Sequence, residues 1–390
     1  YDGCQAPYAG RQWAGRPVGN RPILDGTTPA AAMLAGVRGP RSGLLAVLAA
    51  AVVAAAVPAT APARPAVPGA LLGMQAWADP SEADFERMRS AGVRVLRDNL
   101  SWSVVEPERG QRLWDRYDAV FERAARNGIE VSPVLVGTPA FAASIPQYPP
   151  RAGQRRAFAR FVADAVARYG RGGSFWSERP GLRTRPATAW QVWNEPNLGV
   201  WWNGRPNVRQ YLVLVRQVRR AVLARDPRAR IVLAGMPVTK RDTRAPHFLR
   251  QIYRRPGAKR LFDAVAVHAF ASSATGAVGV VRRTRAIMNA ARDRSTPLWV
   301  TEIGWGSRPG ALPDHLSTDE RTQAARLRTA LTRLARLRRR LGVERAFWFA
   351  WQDRELAAGE GDWWAVHSGL LRVDGSAKPA WRAFSRLGRR

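Results

Sequence analysis

The sequence predicts a single parallel (β/α)8 barrel, and three observations carry that reading. From residue 70 onward, short apolar runs alternate with amphipathic segments. Eight such runs occur, the number that closes a barrel. The phosphate-binding fingerprints of an open doubly wound sheet are missing: no G-x-G-x-x-G follows the first run, and no G-x-x-x-x-G-K occurs.

The elements follow in order. The first strand is "ALLGMQAW" (70–77), and its helix starts in "PSEADFERMRSAG", with Ser81 as N-cap, Asp84 in the first turn and Gly92 as C-cap. "VRVLRDNLSW" (93–102) is the second strand and "LWDRYDAVFERAARNG" its helix. "IEVSPVLVG" (129–137) is the third, followed by a helix that sets Phe158, Phe161, Val162, Ala165, Val166 and Tyr169 on one face. The fourth, "TAWQVWNE" (188–195), leads to a helix over 208–225 with Tyr211, Val215, Val218 and Val222 as its apolar stripe. "RIVLAGM" (230–236), "FDAVAVHAF" (262–270), "PLWVTEIGW" (297–305) and "VERAFWFAWQD" (343–353) complete the set. Helices are expected near 246–255, 277–293 and 318–341, with a short one closing the chain.

The first seventy residues read differently. Residues 1–32 have no apolar period and are expected to be upstream or disordered sequence. Residues 33–63 have the form of a secretory signal peptide: Met33, then Arg38 and Arg41, the apolar stretch from Leu44 to Val57, and Ala59-Thr60-Ala61 as a small-x-small cleavage site. Residues 64–69 are a linker, leaving 70–390 as the barrel domain. The apolar run Leu44–Val57, 14 residues long, is too short for a comfortable membrane span, so the expected product is secreted, with no stable anchor after cleavage.

The chain carries 62 basic against 30 acidic residues, a net charge of +32. Only Lys240, Lys259 and Lys378 are lysines. Arg almost to the exclusion of Lys, with abundant Ala, fits a GC-rich coding bias better than phosphate binding, which draws on both. No nucleic-acid partner is expected, although a basic surface favours an acidic polymer. Cys4 is the single cysteine, and no Cys/His cluster has metal-ligand spacing, so neither metal nor cofactor is expected.

In a barrel of this kind, chemistry sits at the C-terminal strand ends. The fourth strand there ends in Trp193, Asn194 and Glu195, with Pro196 stopping the ladder. The seventh ends in Glu302 and Trp305, the second brings Arg97, the sixth His268, and the eighth Trp351. Glu195 and Glu302 thus point into one mouth from nearly opposite strands. Two carboxyls flanking a bond are what glycoside hydrolysis requires. Their tuning must diverge: burial keeps the acid protonated, and a cation or hydrogen-bond donors keep the other ionised. Glu195, beside Trp193, Trp201 and Trp202, suits the first role. Glu302, with Arg97 and His268 as partners, suits the second.

At these residues the chain resembles the retaining glycoside hydrolases of clan A, of the family 39 and family 5 type. "QVWNEPN" (191–197) and "WVTEIGW" (299–305) are similar to their acid/base and nucleophile motifs. "AGVRVLRDNLSWSVVEPERG", "GTPAFA", "FDAVAVHAF" and "GLLRVDGSAKPAW" continue the likeness in order. The resemblance implies a secreted glycosidase acting on a poly- or oligosaccharide, with Glu195 as acid/base and Glu302 as nucleophile. It further implies that Asn194 binds the sugar 2-hydroxyl, that Arg97 and His268 support the nucleophile, and that Trp351 floors the sugar site. Trp201, Trp202 and Trp305 are further stacking candidates beyond strand ends. One departure is Phe270, where the family has Tyr. A barrel that binds carbohydrate with weakened turnover is the alternative this departure supports; a basic polyanion-binding protein rests on charge alone.

Overall fold

The computed structural model describes residues 71–239 and 243–389. The expected extension, signal peptide and linker over 1–69 lie outside the described residues.

Eight parallel strands form the sheet: β1 Leu72–Gln75, β2 Val95–Ser101, β3 Glu130–Val136, β4 Ala189–Val192, β5 Arg230–Leu233, β6 Val265–His268, β7 Leu298–Ile303 and β8 Val343–Phe349. They are hydrogen-bonded in the order β5-β4-β3-β2-β1-β8-β7-β6. The two ends of that order meet: Val232 bridges Ala264, and the Leu233 amide donates to Ala264 O at 3.0 Å. The sheet is therefore a closed barrel, as the count of apolar runs predicts.

The helices alternate with the strands: α1 Glu82–Ser90, α2 Trp102–Val105, α3 Asp115–Arg126, α4 Arg155–Tyr169, α5 Ser174–Ser177, α6 Val208–Leu223, α7 Ala245–Tyr253, α8 Ala274–Ala290, α9 Glu320–Leu341 and α10 Pro379–Gly388. Single-turn α2 and α5 escape the sequence reading because four residues display no period. Ser81 and Asp84 cap α1 reciprocally: the Asp84 amide donates to Ser81 Oγ at 3.2 Å, and the Ser81 amide to Asp84 Oδ2 at 3.0 Å. None of the described helices is long and apolar enough to cross a membrane.

Two apolar layers hold the barrel. The larger lies between strands and helices and includes the α4 face Phe158, Phe161, Val162, Ala165, Val166 and Tyr169. The smaller fills the barrel itself with Val95, Ala189, Val232, Ala264, Ala266, Trp299 and Phe347. Its one large ring from β8 needs a gap opposite: a Cβ on Gly73 of β1 would stand 2.4 Å from Phe347 Cδ1. Below it, Trp299 is flanked by the guanidiniums of Arg230 and Arg345, 5.7 and 5.3 Å from its ring centre. Arg230 forks onto Glu344 at 2.7 and 2.8 Å, and Trp299 donates to the same carboxylate at 2.8 Å. This network plugs the N-terminal end of the barrel and leaves the C-terminal end as the open mouth.

Candidate functional site

Register brings the polar strand residues to one level. Gln75 lies beside Arg97 across β1 and β2, and His268 beside Glu302 across β6 and β7, with a bulge at Val267/His268. Beyond β4 the chain turns sharply. Trp193 (φ 69°) and Glu195 (φ 42°) both adopt left-handed backbone, which non-glycine residues seldom hold without surrounding support. That support is visible: the Glu195 amide donates to Gly235 O at 3.2 Å, and the Trp193 indole donates to Trp201 O at 3.1 Å.

Arg97 is the centre of the site and is fully buried. Its Nη1 lies 2.7 Å from Glu302 Oε1 and also donates to Gln75 Oε1. Nε donates to Gln191 Oε1 at 3.0 Å, and Nη2 to Asn194 Oδ1 at 2.9 Å. The planar fork is thus satisfied on every side, which fixes both Glu302 and Asn194. Asn194 spends its carbonyl on Arg97, so its amide N–H groups remain for a ligand.

His268 stands between the carboxyls: Nδ1 is 2.8 Å from Glu195 Oε1, and Nε2 is 3.4 Å from Glu302 Oε1. An oxygen of Glu195 and one of Glu302 lie within 4.8 Å of each other. Burial pushes the Glu195 carboxyl up to about 7, opposed by Arg97 and by the indole N–H of Trp201. Burial also raises Glu302, opposed by His268 and by Arg97. The His268 imidazole is driven down to about 4 by burial, against the pull of Glu302 and with the push of Arg97. It is neutral at neutral pH. Glu195, His268 and Glu302 are also the described residues whose donor atoms converge as metal ligands would. Arg97 already supplies a cation at Glu302.

The tryptophans divide. Trp201 is half-buried against Glu195. The expectation for three others is corrected. Trp351 is buried and points outward, its indole donating to Asp84 Oδ1 at 3.0 Å and its ring edge-on to Trp381. Trp305 is fully buried against Trp348 and donates to Ala271 O at 2.6 Å. Trp202 is buried on Tyr211 and donates to Gln210 at 3.2 Å. None has a free face for a sugar.

The aromatic lining comes from elsewhere. Trp77 beyond β1 meets Phe349 at the end of β8, with ring centres 4.9 Å apart, and Trp363 at 5.9 Å. Phe270 lies 5.9 Å from the His268 ring and 4.8 Å from Trp364. The Trp77 indole nitrogen is buried without a hydrogen-bond partner. Sequence reading missed Gln75, Gln191, Trp77 and Phe349. For the two glutamines a signal existed, since each interrupts an apolar strand with an amide. For Phe349 none did, because the alternation of β8 cannot say which of "FWFAW" faces the mouth.

Residues 186–377 match the family model described as glycosyl hydrolase catalytic core, and residues 74–149 match the one described as beta-galactosidase. No curated protein matches the chain. Among solved structures, a family 39 glycoside hydrolase of Bacteroides cellulosilyticus superposes with a TM-score of 0.61 at 22% identity, over 82% of this chain and 63% of that one. A monomeric beta-xylosidase of Caulobacter crescentus gives 0.58 at 20%, over 81% and 68%. An exo-beta-1,4-mannosidase of an Opitutaceae bacterium gives 0.58 at 15%, over 82% and 59%. At these identities the shared property is the barrel fold. Residues 186–377 thus match a glycosyl hydrolase catalytic core, within a (β/α)8 barrel of the kind these structures share.

Proposed function

We propose that this core hydrolyses β-linked glycosides by a retaining double displacement, with Glu302 as nucleophile and Glu195 as acid/base. The observation that carries the proposal is the approach of the two carboxyls to within 4.8 Å at their nearest oxygens, on either side of one mouth. Retaining enzymes hold the pair about 5–5.5 Å apart, whereas inverting ones need about 6.5–9.5 Å to admit a water.

The roles follow from the partners. Glu302 touches a permanent cation, so the proton missing from the pair at neutral pH is missing there. Glu195, buried and held up near 7, keeps its proton and donates it to the leaving oxygen. Once Glu302 is esterified, its charge is gone, and Glu195 can take a proton from the incoming water. With Glu195 protonated, its O–H faces His268 Nδ1 and the ring proton on Nε2 faces Glu302. Asn194 presents its amide to the sugar beside the reacting carbon. Trp77, Phe270 and Phe349 give the ring an apolar wall.

The substrate class is carbohydrate, and the relatives with xylose, mannose and galactose specificities frame the panel to be tested. The signal-like pattern of 33–63 supports export, which N-terminal sequencing of the mature protein would check. The decisive experiment uses aryl β-glycosides with wild type, Glu302→Gln and Glu195→Gln. Each variant is expected to lose about a thousandfold in kcat/KM, and NMR of the first-formed wild-type product is expected to give the β-anomer. Undiminished turnover by Glu302→Gln, or release of the α-anomer, would overturn the assignment.

A further inference from the structure

The excess positive charge is not spread evenly. Residues 208–341 carry 29 Lys and Arg against 8 Asp and Glu, while residues 71–207, a stretch of nearly equal length, carry 19 against 14. A coding bias acts on the whole chain and would enrich both stretches alike. The asymmetry has a spatial meaning, because α6, α7, α8 and α9 pack successively on one another and make one side of the outer wall.

On that wall, Arg216 and Arg220 of α6, Arg250 of α7, Arg282 of α8, and Arg328 and Arg336 of α9 are exposed. None of the six forms an ion pair among the described residues. Among the described residues, three of the nine arginines on α1 to α5 are ion-paired, Arg116 with Asp79, Arg126 with Glu122 and Arg168 with Asp118, against one of sixteen on α6 to α9, Arg219 with Asp263. Crowding like charges on neighbouring helices costs stability through mutual repulsion, so the folded chain alone gains nothing from it.

We propose that the α6–α9 wall is a docking surface for an anionic polysaccharide, a polyuronate chain whose regularly spaced carboxylates meet successive guanidiniums. Arg suits that partner, since its fork accepts a carboxylate through two parallel hydrogen bonds. The partner class follows from the other end of the same barrel, where the catalytic core handles carbohydrate. The surface and the catalytic pair lie on different elements, so binding can be read without turnover.

The test is affinity electrophoresis through gels containing polygalacturonate, with dextran as neutral control and duplex DNA as a competing polyanion. Wild type is expected to be retarded by polygalacturonate and not by dextran, with retardation lost between about 50 mM and about 500 mM NaCl. The triple variant Arg216→Glu, Arg282→Glu, Arg328→Glu is expected to bind about tenfold or more weakly while keeping its far-UV spectrum, melting temperature and aryl glycoside turnover. A matched triple, Arg89→Glu, Arg156→Glu, Arg160→Glu, alters net charge equally on α1 and α4 and is expected to bind as wild type does. Equal loss in both triples would reduce the effect to net charge and overturn the proposal, as would tighter binding to DNA than to polygalacturonate, or no retardation at all.

Discussion

His268 Nδ1 and Glu195 Oε1 lie 2.8 Å apart, and burial shifts the two groups in opposite directions: the imidazole down to about 4, the carboxyl up to about 7. Each is thereby neutral in the same pH range, and one proton serves the contact between them. The first consequence is kinetic. In the proposed mechanism Glu195 must be protonated to assist departure of the leaving group, so kcat/KM is expected to fall about tenfold per unit as pH rises above about 7, with a separate acid limb where Glu302 takes up a proton. In Glu195→Gln the residual rate on an aryl glycoside with an activated leaving group is expected to lose that alkaline limb. A limb that persists unchanged in the variant would assign it to another group.

The same pair makes opposing contributions to stability. Between its ordinary 4.5 and about 7, the Glu195 carboxyl keeps a proton in the folded state that the unfolded chain releases, so its contribution is full at low pH and is lost as pH rises through 7. Between 6.5 and about 4 the unfolded chain protonates His268 and the folded one does not, so that contribution is present above 6.5 and is lost as pH falls. In wild type the two slopes oppose each other over the shared window. Glu195→Gln removes the first. Its melting temperature is expected to fall more steeply than that of wild type on acidification from pH 6.5 to 4.5. Parallel curves for the two proteins would count against the linkage.

Arg97 answers to four acceptors at once, Gln75, Gln191, Asn194 and Glu302. Lysine keeps the charge but cannot span them. Arg97→Lys is therefore expected to lower kcat on aryl glycosides by about a hundredfold or more, of the order seen when one preorganised charge contact is lost. KM is expected to change less, because the loss falls on Glu302 and Asn194 and not on the aromatic wall. A variant with near-normal kcat would show that Glu302 holds its ionisation and orientation without the fork.

Much of this was legible in the residues, and the part that was not has a common cause. The two glutamates, Asn194, Arg97 and His268 sit at strand ends, where chain order alone predicts convergence on the barrel mouth, and they do converge. Side-chain direction is a different matter. Trp351 stands two residues past Phe349, beyond the end of β8, and the chain there has left the regular alternation of a strand; its ring turns outward to Asp84 and Trp381. Trp305 and Trp202 follow strands whose loops fold back onto helices, so both indoles find carbonyl or amide partners inside. Periodicity reads a face only while an element stays regular.

Gly235, just beyond β5, is a position whose size the site dictates. A Cβ there would stand 2.1 Å from His268 Nε2 and 2.4 Å from Thr301 Oγ1, with both side chains held in the barrel. Gly235→Ala is expected to displace the imidazole from its place between the carboxyls, costing about 1–3 kcal/mol of stability and most of the activity. Gly153→Ala, where an added Cβ meets nothing within 4 Å, is the matched control and is expected to leave both unchanged. Equal behaviour of the two variants in thermal melts and turnover would mean that the ring has room to move.

Trp201 and Trp351 test the division of the tryptophans directly. The Trp201 indole N–H favours the ionised form of Glu195. Trp201→Phe keeps an aromatic ring and removes the donor, so the alkaline limb of kcat/KM is expected to move to higher pH while the melting temperature holds. Trp351 is tied to α1 through Asp84 and to α10 through Trp381. Trp351→Ala is expected to cost about 3–5 kcal/mol, as truncation of a buried ring does, with KM and the pH limb unmoved in the protein that remains folded. A rise in KM for Trp351→Ala with little loss of stability would return that ring to the sugar site, and an unmoved limb in Trp201→Phe would remove the indole from the control of Glu195.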